Sequence, residues 1–376
     1  MHVRAYAKFN PYLDIVRKRP DGYHDLAILF RPISLCDELY VDIREKPGVL
    51  LSCNDMRFAG PDNLIHKAYK VLCDEFGPFP GFQVHLIKNI PSGAGLGGGS
   101  SDAAAFMKAA LFLAGIQVKL SELAQIGARV GADVPACLYR VPTVGAGIGD
   151  VLTPVFCGAA KQYYIVVKPN ASFATPAMYA RYDELLAAGT IKSGQTVPET
   201  MIHALETGDF NGEIKGYRNI FERTVPRRVL INGIKKTLLE AGAEGALMSG
   251  SGSCVVGTFR DEKSRDYALA AVREDAGQQA FACESIYEER SEIHYVYMLG
   301  CPDGSIYTGW TTDIDRRLAA HNGGAAGAKY TRSRGGGILL HKEIFDSKSD
   351  ALRREYEIKQ LSHAQKIKLI NNEKIQ

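Results

Sequence analysis

The chain has 376 residues, of which 46% are apolar and 23% charged, and a formal net charge of +3. This length exceeds one typical domain and suits two or three, and the composition supports sizeable cores and excludes wholesale disorder. No stretch reaches the roughly 18 apolar residues that a bilayer crossing requires, and the start, MHVRAYAKFNPYL, has no apolar segment behind a basic one. The expectation is a soluble, cytoplasmic protein with no membrane partner.

From His294 onward there are 13 Lys/Arg against 9 Asp/Glu, while the remainder holds 32 against 33. A basic excess suits a phosphate-rich partner such as DNA or RNA, and equally suits a solvated surface. Eight cysteines, at 36, 53, 73, 137, 157, 254, 283 and 301, include no CxxC pair. Neither a disulfide framework nor a zinc site is expected, and Cys137 and Cys254, in apolar runs, read as small core residues.

Along the chain, Arg4 to Val16 reads as strand. Asn63 to Phe76 has apolar residues at helical spacing, and Phe82 to Ile87 alternates like a strand. After a glycine-rich run, Ser101 to Ala114 reads as an Ala-rich helix with Ser and Asp at its start. Leu120 to Val130 is a second helix, ended by Gly131. Tyr163 to Val167 is a buried strand and Val229 to Ala241 a helix. Gly245 to Thr258 is strand-like with a glycine-serine bend inside it. Strands and helices mix without regular βαβ alternation, so the class is α+β rather than a doubly wound sheet. The polar stretch ESIYEERSE (Glu284 to Glu292) precedes a fresh apolar strand, HYVYML, and marks a domain boundary.

The segment KNIPSGAGLGGGSSDAAA (Lys88 to Ala105) sets glycines between a strand and a helix. Glycines allow positive φ and close backbone approach, and a helix start attracts an anion. The two properties together describe a phosphate cradle, although glycine-rich runs also serve as linkers. No Lys follows the glycines, so the loop is not Walker A, and no βαβ unit follows it, so it is not a dinucleotide fingerprint.

PSGAGLGGGSSDAA resembles the nucleotide loop of the GHMP kinases. AKFN (Ala7 to Asn10) resembles that family's first motif and LMSGSGSCVVG (Leu247 to Gly257) its third. RPDGYHDL (Arg19 to Leu26) and GADVPA (Gly131 to Ala136) resemble the branch of the family that phosphorylates a cytidine-capped methylerythritol in the non-mevalonate isoprenoid pathway. The resemblance implies a two-part fold over residues 1–287, with an S5-like nucleotide-binding half to about 155 and an α/β-plait half beyond it. It implies ATP and Mg²⁺. ATP would lie against Pro91, Gly93, Gly95, Leu96, Gly97, Gly98, Gly99, Ser100, Ser101, Asn63, Ser249 and Gly250. Phosphoryl transfer to an alcohol also needs a group to take the hydroxyl proton or steady its charge. Asp133, at a helix start, is the candidate base with Lys8 beside it; read without the resemblance, Asp133 is a plain helix cap. The resemblance puts substrate against Asn10, Tyr23 and His24, with Tyr179 as the opposite stacking face for the cytosine. Asp102 is a guess for a magnesium ligand. Alternatives are another small-molecule substrate of the same family, or a nucleic-acid protein built on a retired kinase fold.

YVYML, YTGWT, DRRLAAHN and LRREYEIK follow in order between Tyr295 and Lys359. They resemble the GIY-YIG nuclease superfamily over residues 293–370, although VY and YTG stand where GIY and YIG are usual. The resemblance implies a small α/β domain performing metal-assisted phosphodiester cleavage. Tyr297 or Tyr307 would activate the nucleophile, Arg317 would steady phosphate charge, and Glu355 would bind Mg²⁺. His321 lies on the helical face of Arg317. Binding of DNA or RNA without cleavage is the rival reading.

Overall fold

The AKFN motif lies in an uninterrupted strand, β1 (His2–Lys18), in which Ala7 to Ile15 are all buried. The computed structural model describes residues 1–155, 161–273, 278–286, 294–323, 335–345 and 348–371. The chain divides into one compact unit of Ala5–Glu289 and another of Met1–Arg4 with Arg290–Gln376.

In the larger unit, β1 turns tightly into β2 (His24–Arg44), and the sheet order is β1-β2-β4-β3, with β3 (Val49–Cys53) and β4 (Gly81–Ile87). A short strand β5 (Thr143–Ala146) also pairs with β2 and carries β6 (Val151–Pro154). Helix α1 (Leu64–Phe76) is capped by Asn63, whose side chain accepts from Ile65 N. Helix α2 (Gly98–Leu113) is buried on nearly all sides, from Ser101 through Leu111, because its many alanines let neighbours approach closely. α3 (Leu120–Ala128) and α4 (Val134–Leu138) complete this half.

A second sheet has the order β11-β7-β10-β9 and is antiparallel throughout. Its strands are β7 (Tyr163–Pro169), β9 (Gly245–Met248), β10 (Val255–Phe259) and β11 (Gln278–Glu284), with β8 (Arg218–Asn219) pairing instead with β1. α5 (Thr175–Ala187), α6 (Glu199–Thr207), α7 (Phe210–Lys215), α8 (Arg228–Glu240) and α9 (Glu262–Arg273) accompany it. Ala7, Phe9, Ile90 and Leu96 of the first half share one core cluster with Tyr164, Val166, Leu247 and Val256 of the second. Cys254 is fully buried and Cys137 half-buried; Cys157 lies outside the described residues.

A buried polar network crosses the same seam. Arg31 on β2 donates to Glu213 on α7, to Gln162 and to Tyr164, each at 3.2 Å, and Gln162 also donates to Glu213 at 2.6 Å.

The smaller unit has a three-stranded antiparallel sheet, β13-β12-β14, from β12 (His294–Gly300), β13 (Ile306–Thr311) and β14 (Ile338–Phe345). The central strand alternates. Val296 and Met298 join a cluster with Ala351 and Ile358, while Tyr297 and Leu299 join Ile314 in another. Its helices are α10 (Ile314–Gly323), α11 (Lys348–Gln360) and α12 (His363–Ile370), the last begun by a Ser362–Gln365 capping box. Among the described residues, no helix of the chain is long and apolar enough to cross a membrane.

Removing one member of a buried ion pair leaves the other charge uncompensated. Glu213→Ala should therefore lower the unfolding free energy by about 3–4 kcal/mol in a urea titration, and Glu213→Gln by less.

Candidate active site

The glycine loop leaves β4 and turns three times through positive φ, at Gly93 (58°), Gly95 (75°) and Gly97 (70°). Helix α2 then starts at Gly98, three residues before the expected Ser101, and no side chain caps it. A left-handed glycine in the N-cap position leaves the first N–H groups open for an anion, where a serine or aspartate cap would occupy them. Ser100 lines the cleft here. Ser101 does not: its hydroxyl is buried and donates to the Tyr6 carbonyl, fastening α2 to β1.

The second glycine turn, between β9 and β10, packs directly on the first. Ser249 Oγ donates to the Gly95 carbonyl at 2.9 Å, and a Cβ added at Gly95 would stand 2.1 Å from the Ser249 carbonyl oxygen. Ser249 is fully buried and lies outside the cleft wall, so its expected contact with nucleotide is replaced by a contact with the loop backbone. Asn219, absent from the sequence reading, holds this turn by donating to the carbonyls of Met248 (2.6 Å) and Gly250 (2.8 Å).

Lys8 meets the loop from β1. Its backbone N–H donates to the Leu96 carbonyl at 3.0 Å, and its stem lies 3.0 Å from where a Gly97 Cβ would be. Nζ is 3.2 Å from Asp133 Oδ2 and donates to Asn10 Oδ1 at 2.9 Å. Asn10 is buried and passes its own Nδ2 hydrogen to the Leu29 carbonyl at 3.2 Å, so it orients the ammonium. Asp133 occupies the N-cap position of α4 yet makes no capping bond. Its carboxylate is turned to Lys8, an arrangement that a plain helix cap does not require.

At the other end, Arg19 to Tyr23 form a tight turn. Arg19 N–H donates to the Tyr23 carbonyl at 2.8 Å, Tyr23 N–H donates to Asp21 Oδ1 at 3.1 Å, and Gly22 takes φ 87°. Tyr23 is left 64% exposed at the cleft edge, while His24 begins β2 and is buried. Tyr179 stacks on the His24 ring at 4.9 Å and touches Phe221 edge-on at 5.0 Å. One face of Tyr179, the residue expected as the opposite stacking face for the cytosine, is thus covered by His24. Burial, with Asp133 nearby, pushes the Tyr179 phenol up to about 12. Asp183, four residues further along α5, also faces His24 and was missed, although i, i+4 spacing from Tyr179 offered a signal.

Beneath the loop, Lys88 Nζ binds Asp37 and Asp102, the latter at 2.7 Å. Asp37 also accepts from the backbone N–H groups of Asn89 (2.5 Å) and Ile90 (2.8 Å), fixing the start of the loop. Burial drives the Asp102 carboxyl well above its usual range, against the pull of Lys88. One Asp102 oxygen, Oδ1, has no hydrogen-bond partner.

A single cleft of about 1080 Å³ is lined by Lys8, Asn10, Tyr23, His24, Asn63, Pro91, Gly93, Gly95, Leu96, Gly97, Gly98, Gly99, Ser100, Asp133, Tyr179 and Gly250. Both Asn63 side-chain atoms are engaged, Oδ1 at the helix cap and Nδ2 on the Phe58 carbonyl at 2.7 Å.

In the smaller unit, Tyr297 OH lies 2.8 Å from His321 Nε2 and accepts from Arg317 Nε at 3.2 Å. The Tyr307 ring is 5.1 Å from that of His321. Burial pushes the Tyr297 phenol up to about 12, although Arg317 opposes it. Glu355, on α11, pairs with Lys359 at 2.9 Å. Its neighbour Arg354 grips Glu343 of β14 through two nitrogens at 2.8 and 2.9 Å. Despite burial, the bonds from His341 and Arg354 hold the Glu343 carboxyl down at about 2.

The fold and cleft of the larger unit define a GHMP-type small-molecule kinase. The models for the GHMP kinases N terminal domain and the GHMP kinases C terminal match residues 63–140 and 230–278. A 4-diphosphocytidyl-2-C-methyl-D-erythritol kinase from Geotalea daltonii is 37% identical over 287 residues, covering 72% of this chain and 97% of its own length. One from Clostridium novyi is 37% identical over 265 residues, covering 69% and 91%. A crystal structure of 4-(cytidine 5'-diphospho)-2C-methyl-D-erythritol kinase, 30% identical, matches with a TM-score of 0.64 over 77% of this chain and all of that one. The chain belongs to the 4-diphosphocytidyl-2-C-methyl-D-erythritol kinase family. The GIY-YIG catalytic domain model matches residues 293–368.

Gly95 tests the contact between the two glycine turns. Gly95→Ala adds left-handed strain to a backbone overlap, and should raise the KM for ATP about tenfold or more while costing about 1–3 kcal/mol of stability. Steady-state kinetics and thermal unfolding of the same preparation would measure both.

Proposed function

We propose that the Ala5–Glu289 unit transfers the γ-phosphate of ATP to the 2-hydroxyl of 4-diphosphocytidyl-2-C-methyl-D-erythritol, in the cytoplasm. The observation that carries this reading is the Lys8–Asp133 pair, 3.2 Å apart in the cleft, with an aspartate that declines to cap its own helix. The activity for which the relatives are named supplies the substrate.

The open N–H groups of α2 and the backbone of the glycine loop hold the triphosphate. Asp133 accepts the proton of the attacking hydroxyl, and Lys8 steadies the charge that develops on its oxygen. Asn10 keeps the ammonium aimed. Mg²⁺ accompanies ATP. The cleft offers hard oxygen donors that fit such an ion, in Asp133, Ser100 and the unpartnered oxygen of Asp102. When bound, the ion neutralises phosphate charge. At the far end of the cleft, Tyr23 and His24 receive the cytosine.

ADP release from ATP, Mg²⁺ and 4-diphosphocytidyl-2-C-methyl-D-erythritol is the direct test. Asp133→Asn should lower kcat by about 10²–10⁴ with KM changed only a few fold. Full turnover in that variant removes the mechanism, and turnover of homoserine or mevalonate instead removes the substrate.

The smaller unit has a reading of its own, supported by the Tyr297–His321–Arg317 cluster and the local basic excess. It binds DNA or RNA and hydrolyses a phosphodiester, with Arg317 steadying the phosphate and Tyr297 or Tyr307 orienting the nucleophile. Among the described residues, no group of three or more His, Cys, Asp or Glu could by itself hold a metal ion. A lone carboxylate, Glu355, fits Mg²⁺, which commonly takes one or two carboxylates and fills its shell with phosphate oxygens and water. Incubation of the full chain with branched, nicked and single-stranded DNA and Mg²⁺ should give cleavage. Glu355→Ala should abolish it and leave salt-sensitive binding in place. The absence of both cleavage and salt-sensitive binding would retire the reading.

A further inference from the structure

One hydrogen bond in the base-side wall bears on which pyrimidine the cleft accepts, an inference that rests on the cytidine-capped reading above. Asp183 accepts from His24 Nε2 at 2.9 Å and from Lys18 Nζ at 2.5 Å. Partial burial would raise the Asp183 carboxyl, but the bonds from Lys18 and His24 outweigh it and hold the group below its usual value. It is therefore a carboxylate at neutral pH and can only accept, so the imidazole nitrogen facing it must carry the hydrogen.

The ring is held on its other sides as well. Tyr179 lies parallel to it at 4.9 Å and Tyr182 meets it edge-on at 6.1 Å. Tyr182 is fully buried and donates to the Ile15 carbonyl at 3.2 Å, which seats α5 so that Tyr179 and Asp183 both face His24. His24 lines the cleft, and its Nδ1 has no hydrogen-bond partner among the described residues. In a neutral imidazole with its hydrogen on Nε2, Nδ1 is an acceptor.

We propose that Asp183 is a specificity-determining positioning residue: by keeping the hydrogen on His24 Nε2 it leaves Nδ1 to accept from the exocyclic amino group of cytosine. Uracil has a carbonyl oxygen at that position, and two acceptors would then face each other without a hydrogen between them. A site built this way rejects the wrong base through an unmade, desolvated bond.

The test measures kcat and KM of the full chain on the cytidine-capped substrate and on its uridine-capped counterpart, for the wild type, Asp183→Asn and Asp183→Glu. Long-range ¹H–¹⁵N spectra of histidine-labelled protein, assigned with His24→Gln, read the tautomer independently of turnover. The wild type should prefer the cytidine form by about a hundredfold or more and show hydrogen on Nε2. In Asp183→Asn the amide can donate to Nε2, so the Nε2–H pattern should weaken, and the preference should fall about tenfold or more, carried by KM. Asp183→Glu should recover most of the preference. A folded Asn variant with unaltered preference, or a wild-type His24 carrying its hydrogen on Nδ1, overturns the proposal. A wild type inactive on the cytidine-capped compound overturns the kinase reading instead, while the spectra still decide whether Asp183 sets the tautomer.

Discussion

The cleft depends on a close approach of backbone to backbone. Gly95 and the Ser249 carbonyl lie so near that no side chain fits between them, and this contact locks the loop before α2 to the turn between β9 and β10. Much else follows from it. The Gly95 carbonyl, already bonded by Ser249 Oγ, also lies 3.4 Å from Lys8 Nζ. The ammonium that faces Asp133 is thereby referenced to both halves of the unit. Phe9 and Leu96 on one side and Leu247 and Val256 on the other bury the seam behind it. The cleft is thereby lined from both halves of the unit.

Much of this was legible in the sequence because the functional segments are local. GLGGGSS carries its own geometry, since alternate glycines with positive φ are what such a turn requires. AKFN places Lys8 and Asn10 two apart on one strand face, and they do bond each other. Less legible was which way a side chain turns. Ser101 and Ser249 sit among residues that line the cleft, yet both spend their hydroxyls on backbone carbonyls. The start of α2 was misjudged for a related reason. Ser and Asp are good caps in general, but here a glycine leaves the helix end unfilled. Partners distant in sequence were not legible at all. Nothing near Lys88 announces Asp37, 51 residues earlier, and nothing near Ser249 announces Asn219.

The smaller unit repeats this on a smaller scale. Tyr297, Arg317 and His321 were chosen by resemblance, and side-chain bonds link all three. The pair Glu343–Arg354, which fixes β14 to the helix carrying Glu355, comes from an i−1 neighbour of a chosen residue and had no motif to announce it.

Three helices that line the cleft, α2, α4 and α5, begin without a side-chain cap. A good cap is worth about 1 kcal/mol, so the fold forgoes stability at these helix starts. Whatever fills those positions returns some of it, and returns it only to the folded form. Ligand binding and resistance to unfolding are thereby coupled. Open states that proteases can cut become rarer as the bound fraction rises.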